Sequence, residues 1–464
     1  MLRNLAQAAG VFTESGAQRR LPWSSRVSNQ RAIATLLCCI TLSVSLLVSA
    51  APARAAGSEA SDQPIVLVLS FDGLRHDYPD LAEFPGLMRL EREGVRASGL
   101  IAGWPSNTFP GHVSMATGTY ADRHGIVDNR FYDRQKGVFS YSSDANWLEA
   151  EPLWIASERQ GVRSATYFWV GSESDWRGQG QSYRIAPFDG GRLEALKVDQ
   201  ILAWLGLNEA DRPRLIMSYW AGVDSVGHNF GPDSARLAGQ LTGQDHELQR
   251  LLKGIHELQL WPRLTLILVS DHGMTLTSPG VDLAGALHEA DISAKVFGGA
   301  VAHVFLGEGQ QDDANDAASA DGQAQQVTAT PTLARAQNVV RGFLDQHCPD
   351  AQLYIGAQLP ADMRLKHPNR TGDLVVVGPP PCNFGFRPSF AGTMQRTLAG
   401  LGWGFGTHGY DPSLPDMAGT FMAMGNQVPD DLELGAVRQI DLAATVARLL
   451  GIDPPLQSEG KPIW

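Results

Sequence analysis

The unbroken run Ile65-Val66-Leu67-Val68-Leu69-Ser70-Phe71, closed at once by Asp72-Gly73, constrains this chain more than any other feature. A strand with one face in water alternates apolar and polar residues. A run without alternation suits a strand covered on both faces, as in a parallel sheet. The pattern recurs at Arg214–Trp220, at Leu264–Val269 ahead of Ser270-Asp271-His272-Gly273, and at Asp373–Gly378. Between these runs, Leu193–Leu207 and Ser234–Leu258 carry apolar residues at helical spacing. Ile440–Leu450 reads as an amphipathic helix stopped by Gly451 and Pro454. Strands alternating with helices predict an α/β sandwich with a mostly parallel central sheet flanked by helices. At 464 residues and 43% hydrophobic content, the chain has ample material for a large core. One large domain with insertions and two tightly joined domains both fit that length.

The first 56 residues stand apart. Several Arg residues precede an uncharged run from Ala32 to Ala53, which ends in Ala53-Arg54-Ala55, an A-x-A-like site. This predicts a signal peptide over 1–56 and an exported protein, periplasmic or secreted. The run is also about long enough to span a bilayer, so an uncleaved N-terminal anchor is the alternative. Cys38 and Cys39 lie in that leader. Cys348 and Cys382 remain, an even number suited to a disulfide in an oxidising compartment. Residues 57–464 are then the catalytic domain. Within it, 308–337 is rich in Ala, Gln, Asp and Gly and reads as a flexible loop, and 338–403 reads as an inserted region.

The chemistry gathers where the apolar runs end. Asp72 follows the first run and Asp271-His272 the third. After the second comes Asp224, with His228 four residues on. Ligands bind outside the carboxyl ends of strands in open α/β sheets, so acids and histidines at that edge suggest a metal site. Asp and His donors suit zinc, and two metals about 4 Å apart can clamp a phosphoryl group. Taken singly each residue is weak, since an Asp after a strand is ordinarily a turn or cap residue. His408, in Gly406-Thr407-His408-Gly409, has the same bland reading. The net charge of −12, with no basic cluster, is wrong for binding long nucleic acid but compatible with a small phosphate ester held by metals.

The stretch Trp104-Pro105-Ser106-Asn107-Thr108-Phe109-Pro110-Gly111-His112, followed by His124-Gly125-Ile126-Val127-Asp128-Asn129, crowds hydroxyls at a turn before a helix. Such a hydroxyl can be presented to a ligand beside backbone N–H groups. Chemistry alone leaves Ser106, Thr108 and Ser114 open.

This stretch and the Phe-Asp-Gly, Asp-x-x-x-His, Asp-His-Gly-Met and Thr-His-Gly elements, in that order, closely resemble the nucleotide pyrophosphatase/phosphodiesterase family of the alkaline phosphatase superfamily. The resemblance runs from about Ile65 to about Pro455 and thins between Val301 and Leu401. It implies an alkaline-phosphatase-like α/β sandwich and hydrolysis of phosphodiester or pyrophosphate bonds through a phospho-threonine intermediate. It makes Thr108 the nucleophile and assigns two Zn²⁺ ions. Asp224, His228 and His408 would hold one. Asp72, Asp271 and His272 would hold the other, which also contacts Thr108. Asn129 would donate to a phosphoryl oxygen, and Phe109 would pack against a nucleobase. A second stacking aromatic, near Tyr183 or Phe188, stays open. His76, His112, His124 and His246 read as structural or supporting residues.

Trp169-Val170-Gly171-Ser172-Glu173 is similar to the family's Trp-Pro-Gly-Ser-Glu, with Val170 in place of Pro. The Lys-x-Arg pair with which related monoesterases meet the extra phosphate charge does not occur there. A diester substrate is therefore expected, a nucleotide first. A monoesterase of the same superfamily and a phospholipid head-group diesterase are the alternatives. A non-enzymatic binding protein would need a lost ligand or nucleophile, and every position is intact.

Overall fold

A computed structural model describes residues 63–307, 329–385, 394, 397–401, 403–429 and 432–464. The expected leader, 1–56, lies outside the described residues. Among those described, no helix is long and apolar enough to cross a membrane.

The central sheet has eight strands. Their order is Leu434–Arg438, Gly94–Ile101, Phe421–Gly425, Leu264–Val269, Ile65–Phe71, Leu215–Trp220, Ser164–Tyr167, Tyr183–Ile185. Phe421–Gly425 runs antiparallel to both of its neighbours, and all other pairings are parallel. The α/β sandwich with a mostly parallel sheet is what the apolar runs predict. Every residue of the three central strands is buried. The reason is the pleat. Val66 and Val68 enter the core on one face with Met115, Trp154 and Val446. Ile65, Leu67 and Leu69 enter the core on the other face with Ile201, Leu248 and Leu252. Both sets are apolar because helices cover both faces. Each of these side chains contributes about 1.5–3 kcal/mol by burial.

The flanking helices fall close to expectation at Glu194–Leu205, Arg236–Glu257 and Asp441–Leu450. Gly451 ends the last with a left-handed cap, φ +72°.

A second sheet departs from the sequence reading. Its order is Ala294–Gly298, Val301–Leu306, Leu374–Val377, Gln352–Ile355, and every pairing is antiparallel. The fourth apolar run, 373–378, therefore belongs here and not to the parallel sheet. It lacks alternation for the same reason as the others. Leu374 and Val376 pack under the Leu283–Glu289 and Ala329–His347 helices, while Val375 and Val377 join the main core. Coverage of both faces, not parallel pairing, produces the pattern. The expected loop 308–337 is helix from Ala329 onward, and 308–328 lies outside the described residues. The boundary at 338 cuts through that helix, and the subdomain also takes in residues 283–306. An Ala-rich helix with few large apolar residues is compositionally close to a loop, which hides its start. Cys348, just after this helix, forms the expected disulfide with Cys382, their Cα atoms 6.1 Å apart.

Candidate active site

The predicted metal ligands come together at the carboxyl ends of the three central strands. Asp72 follows Ile65–Phe71, and Asp271 and His272 follow Leu264–Val269. Asp224 opens the short helix Asp224–Phe230 after Leu215–Trp220, with His228 one turn later. His408 follows the strand Phe405–Thr407. Two glycines let the loops meet. Gly73 has φ +68°, and a Cβ there would stand 2.9 Å from the Asp224 Cα. Gly222 has φ +61°, and a Cβ there would overlap the Asp72 backbone.

Two groups result, Asp224–His228–His408 and Asp72–Asp271–His272, the candidate ligand atoms of each within 4.8 Å of one another. The His272 and His408 rings stack at 3.5 Å between centroids, so the groups are adjacent. His228 Nε2 lies 3.2 Å from Asp224 Oδ1, and His408 Nε2 3.7 Å from the same atom. His272 Nε2 lies 3.4 Å from Asp72 Oδ1 and 3.2 Å from Asp271 Oδ2.

The hydrogen bonds around these side chains test whether cations fit. His228 Nδ1 faces the Gly406 carbonyl at 2.9 Å, His272 Nδ1 that of Gly273 at 2.8 Å, and His408 Nδ1 that of Ser106 at 3.1 Å. A carbonyl only accepts, so each Nδ1 carries a proton and each Nε2 turns toward a carboxylate, where it takes up either a proton or a cation. The carboxylate oxygens it meets, Asp72 Oδ1, Asp224 Oδ1 and Asp271 Oδ2, are buried without a hydrogen-bond donor. Other atoms of the same acids are engaged. Tyr219 donates to Asp72 Oδ2 at 2.5 Å, and the Gly73 N–H donates to Asp271 Oδ1 at 3.1 Å. Acceptors facing acceptors need protons or cations between them. The donor set of three Asp and three His fits zinc.

The charge balance without cations is correspondingly strained. Burial, then the charges of Asp271 and Asp224, push Asp72 well above the usual carboxylate range. Burial opposes ionisation of Asp271 too, but the adjacent His272 and His112 hold it well below that range. Burial, then His272 and His228, hold His408 well below the ordinary imidazole value. Divalent cations would let all three acids ionise together.

Thr108 begins the helix Thr108–Thr117. Its Oγ1 lies 3.1 Å from His272 Nε2. Ser106 instead donates to the Tyr410 carbonyl at 2.8 Å, and Ser114 bonds His124 at 3.0 Å. Asn129 Oδ1 accepts the Phe109 N–H at 2.7 Å, which fixes the amide with Nδ2 as its donor, and the same side chain bonds Tyr141. Phe109 is half-buried and meets Phe139 and Tyr141 edge-on, at 5.6 and 5.4 Å. His112 donates from Nδ1 to the Thr108 carbonyl at 2.8 Å and accepts from Ser70 at 2.7 Å, tying the helix's first turn to the central strand. His246 is exposed on the Arg236–Glu257 helix. Trp169 is fully buried, packed edge-on against His112 at 5.2 Å.

Sequence reading missed Tyr219 and Asp128. Tyr219 sits near the end of the Leu215–Trp220 strand, and its place there was the only available signal. Asp128 Oδ1 accepts from both Asn107 Nδ2 (2.7 Å) and the Asn129 N–H (2.6 Å), bracketing Thr108 and Asn129 with one atom. Of the two aromatics left open, Tyr183 donates its hydroxyl to the Asp211 carbonyl and packs near Trp204. Phe188 is half-exposed, 5.7 Å from the Tyr219 ring.

Burial pushes the Asp128 carboxyl up from 3.8 to about 6. Folding therefore favours the protonated acid. That contribution is fully present below the unfolded value of 3.8 and is lost as pH rises through about 6. Asp128→Asn retains an acceptor for both donors and removes the buried charge. It is expected to raise stability at pH 8 by roughly 2–3 kcal/mol, with no gain below about pH 4. Urea melts at both pH values check this, and an equal effect at both would contradict it.

Residues 66–411 match the family model described as type I phosphodiesterase/nucleotide pyrophosphatase. An uncharacterised pyrophosphatase/phosphodiesterase of Schizosaccharomyces pombe is 38% identical over 226 residues, 47% of this chain and 46% of the relative. A bis(5′-adenosyl)-triphosphatase of Xenopus laevis is 26% identical over 396 residues, 84% of this chain and 79% of the relative. The matched stretch thus spans about half the length of the first relative and most of the second. Among solved structures, murine ectonucleotide pyrophosphatase/phosphodiesterase 5, an inactive threonine-to-alanine variant in complex with AMP, superposes with a TM-score of 0.72 at 25% identity. That match covers 86% of this chain and 98% of the other.

Proposed function

The chain belongs to the type I phosphodiesterase/nucleotide pyrophosphatase family, and on that premise we propose that it hydrolyses phosphodiester or pyrophosphate bonds of nucleotides, with Thr108 as nucleophile and two zinc ions as cofactors. The observation that carries this is the Thr108 hydroxyl 3.1 Å from His272 Nε2, beside acids whose inward oxygens have no donor. Asp224, His228 and His408 would hold one ion; Asp72, Asp271 and His272 the other, within reach of Thr108. Zinc bound there supplies positive charge that favours the Thr108 alkoxide and offsets charge on the leaving oxygen.

The chain's own residues do the rest. Thr108 Oγ1 attacks phosphorus and forms a phospho-threonine ester, the P–O bond to the leaving group breaks, and water then cleaves the ester and restores the hydroxyl. Asn129, its Oδ1 occupied by Phe109 N–H, donates from Nδ2 to a non-bridging phosphoryl oxygen. Asp128 holds Asn107 and Asn129 in place for that contact. The Phe109 face supports a planar base, and AMP in the murine relative supports a nucleotide as the substrate class. We also assign 1–56 as a leader and 57–464 as one catalytic unit, which makes the protein exported, periplasmic or secreted. The disulfide between Cys348 and Cys382 suits such a compartment.

A side-by-side assay tests the reading. Thymidine 5′-monophosphate nitrophenyl ester and bis-nitrophenyl phosphate should be cleaved at least about 100-fold more efficiently than nitrophenyl phosphate, because the Lys-x-Arg pair that meets a second phosphate charge does not occur in Trp169-Val170-Gly171-Ser172-Glu173. Equal or greater monoester activity would replace the diesterase reading with a monoesterase one.

A further inference from the structure

Arg370 lies in the second subdomain, just before the Leu374–Val377 strand, and its side chain is fully buried. Its Nε donates to Asp133 Oδ2 at 2.8 Å. Nη1 donates to the carbonyls of Gly125 (2.5 Å) and Trp147 (3.2 Å). Nη2 stands 2.7 Å from Glu149 Oε1 as an ion pair without hydrogen-bond geometry. The guanidinium carbon lies 5.4 Å from the ring centroids of Phe131 and Trp147. A buried cation with this many fixed partners is costly to keep unless its geometry is used, since apolar packing would serve stability as well.

Those partners bracket Asn129 in the chain. Gly125 comes four residues before it and Asp133 four after. Gly125 has φ +82°, and a Cβ there would overlap Arg370 Nη1, so its backbone conformation and the arginine's place are set together. The Arg130–Asp133 strand starts directly after Asn129 and pairs with Gly137–Ser140. Phe131 stacks on Phe139 at 4.6 Å, and Phe139 meets Phe109 at 5.6 Å. Two routes therefore lead from Arg370 to the phosphoryl pocket. One is the 125–133 backbone, ending on the Asn129 amide. The other is the aromatic stack, ending on Phe109, whose N–H bonds Asn129. Neighbouring contacts hold the same segment down, with Arg134 N–H donating to the Asn369 carbonyl and Arg134 Nη1 to that of Thr371.

We propose that Arg370 is a positioning residue for the reaction, fixing the Asn129 amide relative to Thr108 and so coupling the second subdomain to the phosphoryl site. This rests on the roles given above to Thr108 and Asn129. A lysine keeps the charge but not the planar fork that reaches Asp133, Gly125 and Glu149 together.

The test is a double-mutant cycle in the zinc-loaded full chain, reading kcat and KM on the thymidine nitrophenyl ester, with zinc content and melting temperature alongside. Arg370→Lys should lower kcat roughly 10- to 100-fold with KM changed less than about threefold. Asn129→Ala alone should lower kcat about 100-fold. In the Asn129→Ala background, Arg370→Lys should have less than about a threefold further effect, because the group it positions is gone. Full multiplication of the two losses, a loss that follows zinc content, or unchanged kcat in Arg370→Lys would overturn the proposal while leaving the site assignment intact. Unchanged kcat in Asn129→Ala would overturn both. If Arg370→Lys fails to fold, the triple variant Arg370→Met, Asp133→Asn, Glu149→Gln removes the buried arginine together with the charges of both its acidic partners and enters the same cycle.

Discussion

Thr108→Ala will lose turnover by on the order of 10⁴-fold or more while the folded protein keeps its zinc. The residue sits at the start of the Thr108–Thr117 helix, where its hydroxyl faces His272 Nε2 at 3.1 Å. Alanine is a good helix former, and the position is only half-buried, so stability should change by less than about 1 kcal/mol. The six candidate Asp and His ligands stay in place. Only the atom that would form the ester is removed, and neither nearby serine is free to replace it. Ser106 is committed to the Tyr410 carbonyl and Ser114 to His124. Steady-state rates on the nitrophenyl ester, with zinc per protein by elemental analysis, decide the matter. Activity within tenfold of the parent would move the nucleophile elsewhere, and loss of zinc along with activity would make Thr108 chiefly a ligand.

Chelation will have the second large effect. Removing the metal should lower diester hydrolysis by about 10³-fold or more and lower the melting temperature by roughly 5–15 °C, both restored by added zinc. The physical ground is the same set of atoms for both. Asp72 Oδ1, Asp224 Oδ1 and Asp271 Oδ2 are buried without hydrogen-bond donors and face imidazole Nε2 atoms that bind either a proton or a cation. Without cations the cluster relaxes only by taking up protons, with Asp72 pushed far above its ordinary range by burial and by Asp271 and Asp224. The apoprotein should therefore be destabilised more at pH 8 than at pH 5, where protons partly replace the metals. Asp224→Ala should retain about one equivalent of zinc, because the Asp72–Asp271–His272 group is untouched. Full activity in metal-free protein, or a melting temperature indifferent to chelator, would remove zinc from the mechanism.

Much of this site is legible in the sequence because strand tips are local features. An apolar run followed by Asp-Gly or Asp-His-Gly marks both the strand and the edge where ligands collect. Asp72, Asp271 and His272 follow from that alone as candidates, and Asp224 from its place four residues after a third apolar run. The choice of Thr108 over Ser106 and Ser114 does not. Local composition treats the three hydroxyls alike, and only the block resemblance prefers one. The hydrogen bonds of the two serines supply a physical reason.

The covered sheet, its flanking helices and the strand-end acids that are candidate metal ligands are dictated locally, since burial on both faces and acids at strand tips are written as runs of neighbouring residues. Three other matters depend on the tertiary fold. Asp373–Gly378 falls in an antiparallel sheet, because a run without alternation reports coverage of both faces and says nothing of strand direction. The six candidate ligands form the two groups that the resemblance implies, and the contact that closes one of them, His408 against Asp224, spans a separation that no periodicity covers. Arg370 comes to rest against Gly125 and Asp133, where a single arginine in an unremarkable stretch meets the segment carrying Asn129. Each of these depends on contacts between distant parts of the chain, and local pattern carries no information about which distant surfaces will meet.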